Sequence, residues 1–179
     1  APTISIDNAA DLTCETTSVQ LLLTMDDENA NITWSTTDGN IVSGENTNSP
    51  TIDTAGTYSV MVTGENGCTA TANIGVEGDT TVPTVSIETP NSIDCENSSV
   101  ALNSTTTGNI VAYMWATENG NLVTANEVAN AIVNMAGTYT LVVTAINGCT
   151  ATASTTVLAD TVLPIAIIEG NSTLNCNTT

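Results

Sequence analysis

The chain has 179 residues, contains no Lys, Arg or His, and has a formal net charge of −19. Because no cation is available to neutralise phosphates, the composition argues against DNA or RNA binding, and an anionic membrane would repel the chain. The general-base histidine, Schiff-base lysine and arginine clamp of common active sites are also missing, so we expect that the protein is not an enzyme. Hydrophobic residues nevertheless make up 41% of the chain, which predicts a folded core.

Short strands separated by turn residues follow one another from the first residues onward. The predicted strands cover 3–7, 18–25, 31–36, 41–42 and 50–54. A hairpin then opens at residue 55, where Tyr58, Val60 and Val62 alternate onto one face, and it turns at Asn66-Gly67. A looser crossing over 8–17 carries Cys14. The absence of any helical period predicts a helix content near zero.

These elements recur at a constant spacing of 81 residues. Cys14, Cys95 and Cys176 keep this spacing, as do Cys68 and Cys149. The period divides the chain into a first copy (1–80), a second copy (81–161) and the first strands of a third copy (162–179). A period of this length is one small domain, longer than a solenoid turn. We therefore expect the natural protein to continue with further copies.

About seven short strands per copy, with turn residues every 8–12 positions, predict tandem immunoglobulin-like β-sandwich domains. Each copy places one Trp on its third strand and one Tyr at the start of the hairpin, namely Trp34 and Tyr58, then Trp115 and Tyr139. Their inward registers predict core packing, with a sugar-stacking platform as the alternative.

The motifs Leu12-Thr13-Cys14, Trp34-Ser35, 55–58 and 66–70 together suggest a family. The pattern resembles the PKD-like and immunoglobulin-like repeats of giant surface adhesins and gliding-type extracellular filaments of Bacteroidota. The resemblance covers the whole chain and implies a secreted, cell-surface protein whose partners are copies of itself, with surface glycans as further candidates. The chain departs from such repeats in lacking basic residues altogether.

Two cysteines per copy in a secreted β-protein predict disulfides, because neither His nor a Cys-x-x-Cys pair is present for zinc. The first pairing to consider lies within a copy, Cys14 with Cys68 and Cys95 with Cys149, which leaves Cys176 for a partner further along. In a plain immunoglobulin-like topology, however, Cys14 and Cys68 lie at opposite ends of the sandwich. A bond between neighbouring copies, Cys14 with Cys149, is therefore the alternative.

Two further kinds of site are predicted, most of them near the links between copies. Carboxylates that could hold Ca²⁺ are Asp7, Glu77, Asp79, Glu88 and Asp160. Thr residues in Asp-Thr triplets that resemble the O-glycosylation signal of secreted Bacteroidota proteins are Thr54, Thr80 and Thr161. No other cofactor is expected.

The sequence as a whole predicts a structural and adhesive segment of a long extracellular tandem-repeat protein or filament. The alternative is a spacer, or a carbohydrate- or Ca²⁺-binding module, of a secreted multidomain enzyme. The two interpretations differ in what else the parent protein contains, and the residues of this chain do not decide between them.

Overall fold

The computed structural model describes residues 1–160 together with 162, 165 and 167. The predicted third copy, including Thr161 and Cys176, therefore lies almost entirely outside the described residues. Within the described residues every regular element is a strand, which confirms the all-β prediction. In the order of the chain, the strands of the first copy are β1 Ile4–Ile6, β2 Leu12–Thr13, β3 Val19–Gln20, β4 Leu23–Met25, β5 Asn31–Thr36, β6 Asn40–Ser43, β7 Thr51–Thr54, β8 Gly56–Thr63 and β9 Thr69–Val76.

A two-residue strand, β10 (Gly78–Asp79), leads into the second copy. Its strands are β11 Thr84–Ile87, β12 Val100–Leu102, β13 Ser104–Thr107, β14 Ile110–Thr117, β15 Ala131–Val133, β16 Gly137–Ala145 and β17 Thr150–Val157. The two copies share most of their topology, but the strand β6 beside β7 has only a single bridge, between Leu122 and Val133, as its counterpart in the second copy. Each has a three-stranded antiparallel sheet, β5-β8-β9 and β14-β16-β17, and Trp34 and Trp115 pair with Val60 and Leu141 at matching registers.

Each copy encloses its own hydrophobic cluster between its sheets. The indole and phenol rings dominate these clusters, since Trp34 and Trp115 are 4% and 2% exposed and Tyr58 and Tyr139 are fully buried. Each indole nitrogen donates a hydrogen bond to a carbonyl, on Thr47 or Val128. Rings buried in this way have no free face on which a sugar could stack.

The prediction of one continuous strand over 18–25 is wrong. The chain changes sheets at Leu21 and Leu22, because β3 pairs with β7 whereas β4 pairs with β1. Between the two strands, the backbone amide of Leu21 donates to the carbonyl of Pro50. The alternation of side chains nevertheless continues through the change of sheet, with Leu21 fully buried and Leu22 48% exposed.

Candidate functional site: the joint between the two copies

A disulfide between the two copies is the main chemical feature of the described structure. Cys14 of the first copy is bonded to Cys149 of the second copy, with 5.0 Å between their Cα atoms and a sequence separation of 135. Cys68 and Cys95 are free and exposed. The predicted pairing within each copy is therefore wrong, and the alternative between neighbouring copies is the one that forms.

The length of the hairpin explains why a bond within one copy does not form. Cys14 follows β2, which pairs with β10 beside the link to the second copy. Cys68 follows the hairpin tip at the far end of β8 and β9, each eight residues long. Eight residues of strand extend roughly 27 Å, at about 3.4 Å per residue. A disulfide requires Cα atoms within about 7 Å, so Cys14 cannot reach Cys68.

Two turns, one from each copy, meet at the disulfide. In the first copy, the turn over 13–16 closes when Thr13 N–H donates to the carbonyl of Thr16 at 2.9 Å. In the second copy, the hairpin tip over 145–149 closes when Gly148 N–H donates to the carbonyl of Ala145 at 2.9 Å. The backbone amide of Cys14 then donates across the joint to the carbonyl of Asn147 at 3.2 Å. The joint therefore contains a hydrogen bond beside the covalent bond.

Asn147 fixes both the tip and the link between the copies. Its side-chain oxygen accepts a hydrogen bond from Cys149 N–H at 3.1 Å, and its side-chain nitrogen donates to the carbonyl of Thr81 at 3.0 Å. Asn147 is 9% exposed and Cys149 is 1% exposed. Because both polar ends of this amide are satisfied within a buried contact, we expect the position to tolerate substitution poorly.

Glycine is required at the tip for two reasons. Gly148 has a φ of 76°, in the left-handed region that disfavours other residues, and a Cβ on it would lie 2.7 Å from Cγ of Glu15. The first copy therefore packs directly over the tip of the second copy.

The side chain of Asp79 also fixes the link between the two copies. Its carboxylate accepts a hydrogen bond from the backbone amide of Thr81 at 3.0 Å. That backbone hydrogen bond, followed by those from the side chains of Thr81 and Asn147, lowers the pKa of the Asp79 carboxyl below its ordinary value of 3.8. The carboxylate is thus one of the groups that position the link.

The five carboxylates predicted as Ca²⁺ ligands, Asp7, Glu77, Asp79, Glu88 and Asp160, are all exposed. The described residues contain no group of three or more His, Cys, Asp or Glu side chains that could share a metal ion. The structure therefore does not bring the predicted ligands together, and the Ca²⁺ site stays a prediction. Of the predicted glycosylation positions, Thr54 ends β7 and Thr80 lies in the link, both exposed, and modification there also stays a prediction.

Comparison with known proteins agrees with this fold. The model of the PKD domain family matches residues 85–159, which is most of the second copy and less than half of the chain. No curated protein sequence matches the chain. Within the described residues, no helix is long and apolar enough to cross a membrane.

Solved structures with related folds have low similarity. They include the insect immune protein hemolin (10% identity, TM-score 0.45, covering 89% of this chain and 47% of hemolin) and murine CEACAM1b (18% identity, TM-score 0.37, 89% and 100%). A fragment of intimin, solved in complex with the intimin-binding domain of the translocated intimin receptor, gives 18% identity and a TM-score of 0.46, with coverage of 88% and 64%. The chain spans about half of the hemolin chain. The fold and the family match together define a PKD-like, immunoglobulin-like β-sandwich protein with a disulfide between its copies.

Proposed function

We propose that the chain is a load-bearing segment of an extracellular tandem-repeat surface protein or filament, whose neighbours are further copies of the same repeat. The observation that carries this proposal is the disulfide between Cys14 and Cys149. Disulfides persist in oxidising compartments outside the cytosol, which supports the extracellular location. A chain without Lys or Arg also offers no site to trypsin-like proteases.

The position of the disulfide determines which covalent path carries a pulling force. A force applied to the two ends of the chain passes from Cys14 to Cys149 across 5.0 Å and bypasses the residues between them, a sequence separation of 135. Without the bond, full extension of those residues would release roughly 450–490 Å of chain, at about 3.3–3.6 Å per residue. The bond thus protects most of both copies from extension, as a structural element under tension requires.

Single-molecule force spectroscopy on the full chain, held by its two ends, tests the proposal. The oxidised protein is expected to lengthen only by the segments outside 14–149, by at most roughly 150 Å. After reduction, two further steps are expected, one for each copy, of roughly 220–240 Å each. The double variant Cys14→Ser/Cys149→Ser should show these steps without a reductant, whereas Cys68→Ser should behave like the unmodified chain.

Equal lengthening of the oxidised and reduced proteins would contradict the proposal, because the bond would then not lie in the path of the force. A second test uses electron microscopy of the native material. Continuous filaments with an axial repeat of one or two copies are expected, and dispersed monomers would count against a filament.

A further inference from the structure

Among the described residues, the two free cysteines occupy the same positions in the repeat as the two bonded ones. Cys68 corresponds to Cys149 and Cys95 corresponds to Cys14, in each case 81 residues apart. We propose that Cys68 and Cys95 are complementary halves of a joint like that between Cys14 and Cys149, so that Cys95 of one chain bonds Cys68 of a second molecule of this chain, head to tail. This inference deepens the proposed function and rests on it, since it extends one joint to a series of joints.

The hairpin tip of the first copy already has the shape of the tip that is bonded in the second copy. Gly67 has a φ of 75°, against 76° at Gly148. The side-chain oxygen of Asn66 accepts a hydrogen bond from Cys68 N–H at 3.0 Å, as that of Asn147 does from Cys149 N–H at 3.1 Å. No rearrangement of the tip is therefore needed before it can bind a partner.

The two tips differ in what covers them. Asn147 and Cys149 are buried by the first copy, whereas Asn66 and Cys68 are exposed. A Cβ on Gly67 would meet no atom within 4 Å, although the same addition at Gly148 would meet Glu15 at 2.7 Å. The first copy thus presents the receiving half of the joint with its partner surface open.

The second copy carries the other half of the joint, the turn with Cys95, and this cysteine is exposed. The turn over 94–97 closes with Asp94 N–H donating to the carbonyl of Asn97 at 3.1 Å, and it carries Cys95 as the turn over 13–16 carries Cys14. The side chain of Asp94 accepts a hydrogen bond from Glu96 N–H at 2.9 Å, as the Thr13 hydroxyl does from Glu15 N–H at 3.2 Å.

The chain also leaves each copy beside this turn. Leu12 N–H donates to the carbonyl of Glu77 at 2.9 Å, and Ile93 N–H donates to the carbonyl of Leu158 at 2.8 Å. Asp160 N–H then donates to the carbonyl of Ile93 at 2.8 Å. The end of the second copy therefore lies next to Cys95, just as the end of the first copy lies next to Cys14.

Formation of the new bond requires an oxidant, and a small-molecule disulfide of the oxidised-glutathione class is sufficient. The thiolate of Cys68 attacks this disulfide, forms a mixed disulfide and releases one thiol. The thiolate of Cys95 of the second chain then attacks the sulfur of Cys68 and releases the other thiol. Two protein thiols are oxidised, one disulfide reagent is reduced to two thiols, and the two thiol protons remain on the released thiols or in the buffer.

The proposed joint differs in charge from the observed one. Glu65 precedes Asn66 in the first copy, where the second copy has Ile146. A joint between Cys68 and Cys95 would therefore add the carboxylate of Glu65 to the tip that meets the turn carrying Glu96, and like charges repel each other. Both chains also carry a large negative charge, so we expect linking to be faster at high salt than at low salt.

The test uses the full chain with Cys176→Ser, so that Cys68 and Cys95 are the only free thiols. Chains labelled with ¹⁴N and ¹⁵N are mixed, oxidised in a glutathione buffer at high salt, and cleaved after Glu. This cleavage separates the four remaining cysteines into the peptides 1–15, 66–77, 89–96 and 128–169. The mass of each linked pair then identifies both cysteines and shows whether they came from different chains.

The expected product is the peptide 66–77 linked to 89–96, with one peptide carrying ¹⁴N and the other ¹⁵N. This link should exceed links between identical peptides by on the order of tenfold, because the joint surfaces raise the effective concentration of the matched thiols. The variant Gly67→Ala adds a methyl group that, at the matching Gly148, would lie 2.7 Å from Glu15 of the other copy. It should reduce the mixed link several-fold, whereas Gly75→Ala, which adds a methyl group at an exposed strand position with no atom within 4 Å, should not.

The inference would be overturned if links between 66–77 and 89–96 were no more frequent than links of either peptide to itself, taken together. It would also be overturned if glutathione capped both thiols and no links formed. The force measurement on a single chain reads only the bond between Cys14 and Cys149, and the linking assay reads only Cys68 and Cys95. Either proposal can therefore fail while the other stands.

Discussion

Removal of the disulfide between the copies should lower the stability of the whole two-copy unit. The perturbation is the double variant Cys14→Ser/Cys149→Ser, which leaves no half-paired thiol behind. The bond closes a loop with a sequence separation of 135 residues. Loop-closure entropy assigns about 5 kcal/mol of the free energy of unfolding to a bond of this span at 25 °C.

The expected thermal shift follows from the size of the cooperative unit. If the bonded copies unfold together, a loss of about 5 kcal/mol lowers Tm by about 10–20 °C, at about 2–4 °C for each kcal/mol in a unit of this length. Differential scanning calorimetry of the oxidised protein, the reduced protein and the double variant measures this shift. The oxidised protein should give one transition, and the other two should give lower transitions in which the copies unfold separately.

The matched control is Cys68→Ser, a change of the same type at the corresponding but exposed position of the first copy. It should change stability by no more than about 0.5 kcal/mol, the usual range for surface substitutions. A double variant that melts within about 2 °C of this control would refute the reasoning, because the bond would then constrain neither the folded nor the unfolded chain.

The remaining predictions concern single side chains. Tyr139→Phe should cost about 1–3 kcal/mol by chemical denaturation, because the hydroxyl of this buried ring donates to the carbonyl of Met135 at 2.6 Å and accepts from a backbone amide, and both partners would lose it. Gly148→Ala and Gly67→Ala should both lose about 1–2 kcal/mol to the left-handed backbone, but only Gly148→Ala should speed reduction of the disulfide by a thiol reagent, because only that methyl group meets the other copy. The pKa of Asp79 is lowered in the folded protein, so its contribution to stability is complete above the ordinary value of 3.8 and is lost as the pH falls through the lowered pKa. The NMR signal of the Asn147 side-chain amide should therefore shift in that pH range. The variant Asp79→Asn should abolish this shift.

The fold could be predicted from the sequence because two periods agree. Alternation of apolar residues identified Tyr58, Val60 and Val62 on one face of β8, and the 81-residue period repeated the pattern at Tyr139. The point where the chain passes from one sheet to another cannot be recognised from this alternation. The alternation runs unbroken through Leu21 and Leu22, although the pairing partner changes from β7 to β1. Periodicity reports which face of a strand is buried and does not report which strand lies beside it.

The pairing of the cysteines depends on strand direction, which spacing along the chain does not contain. Once β2 and the β8–β9 hairpin are placed, the two cysteines of one copy lie at opposite ends, separated by about eight residues of strand. A repeat built in this way cannot satisfy its cysteines internally, whatever their spacing, because a disulfide spans at most about 7 Å between Cα atoms. Cys14, beside the exit from the first copy, then has the tip of the second copy as its partner. The same geometry that joins Cys14 to Cys149 leaves Cys68, at the other tip, and Cys95, beside the end of the second copy, exposed and without a bond.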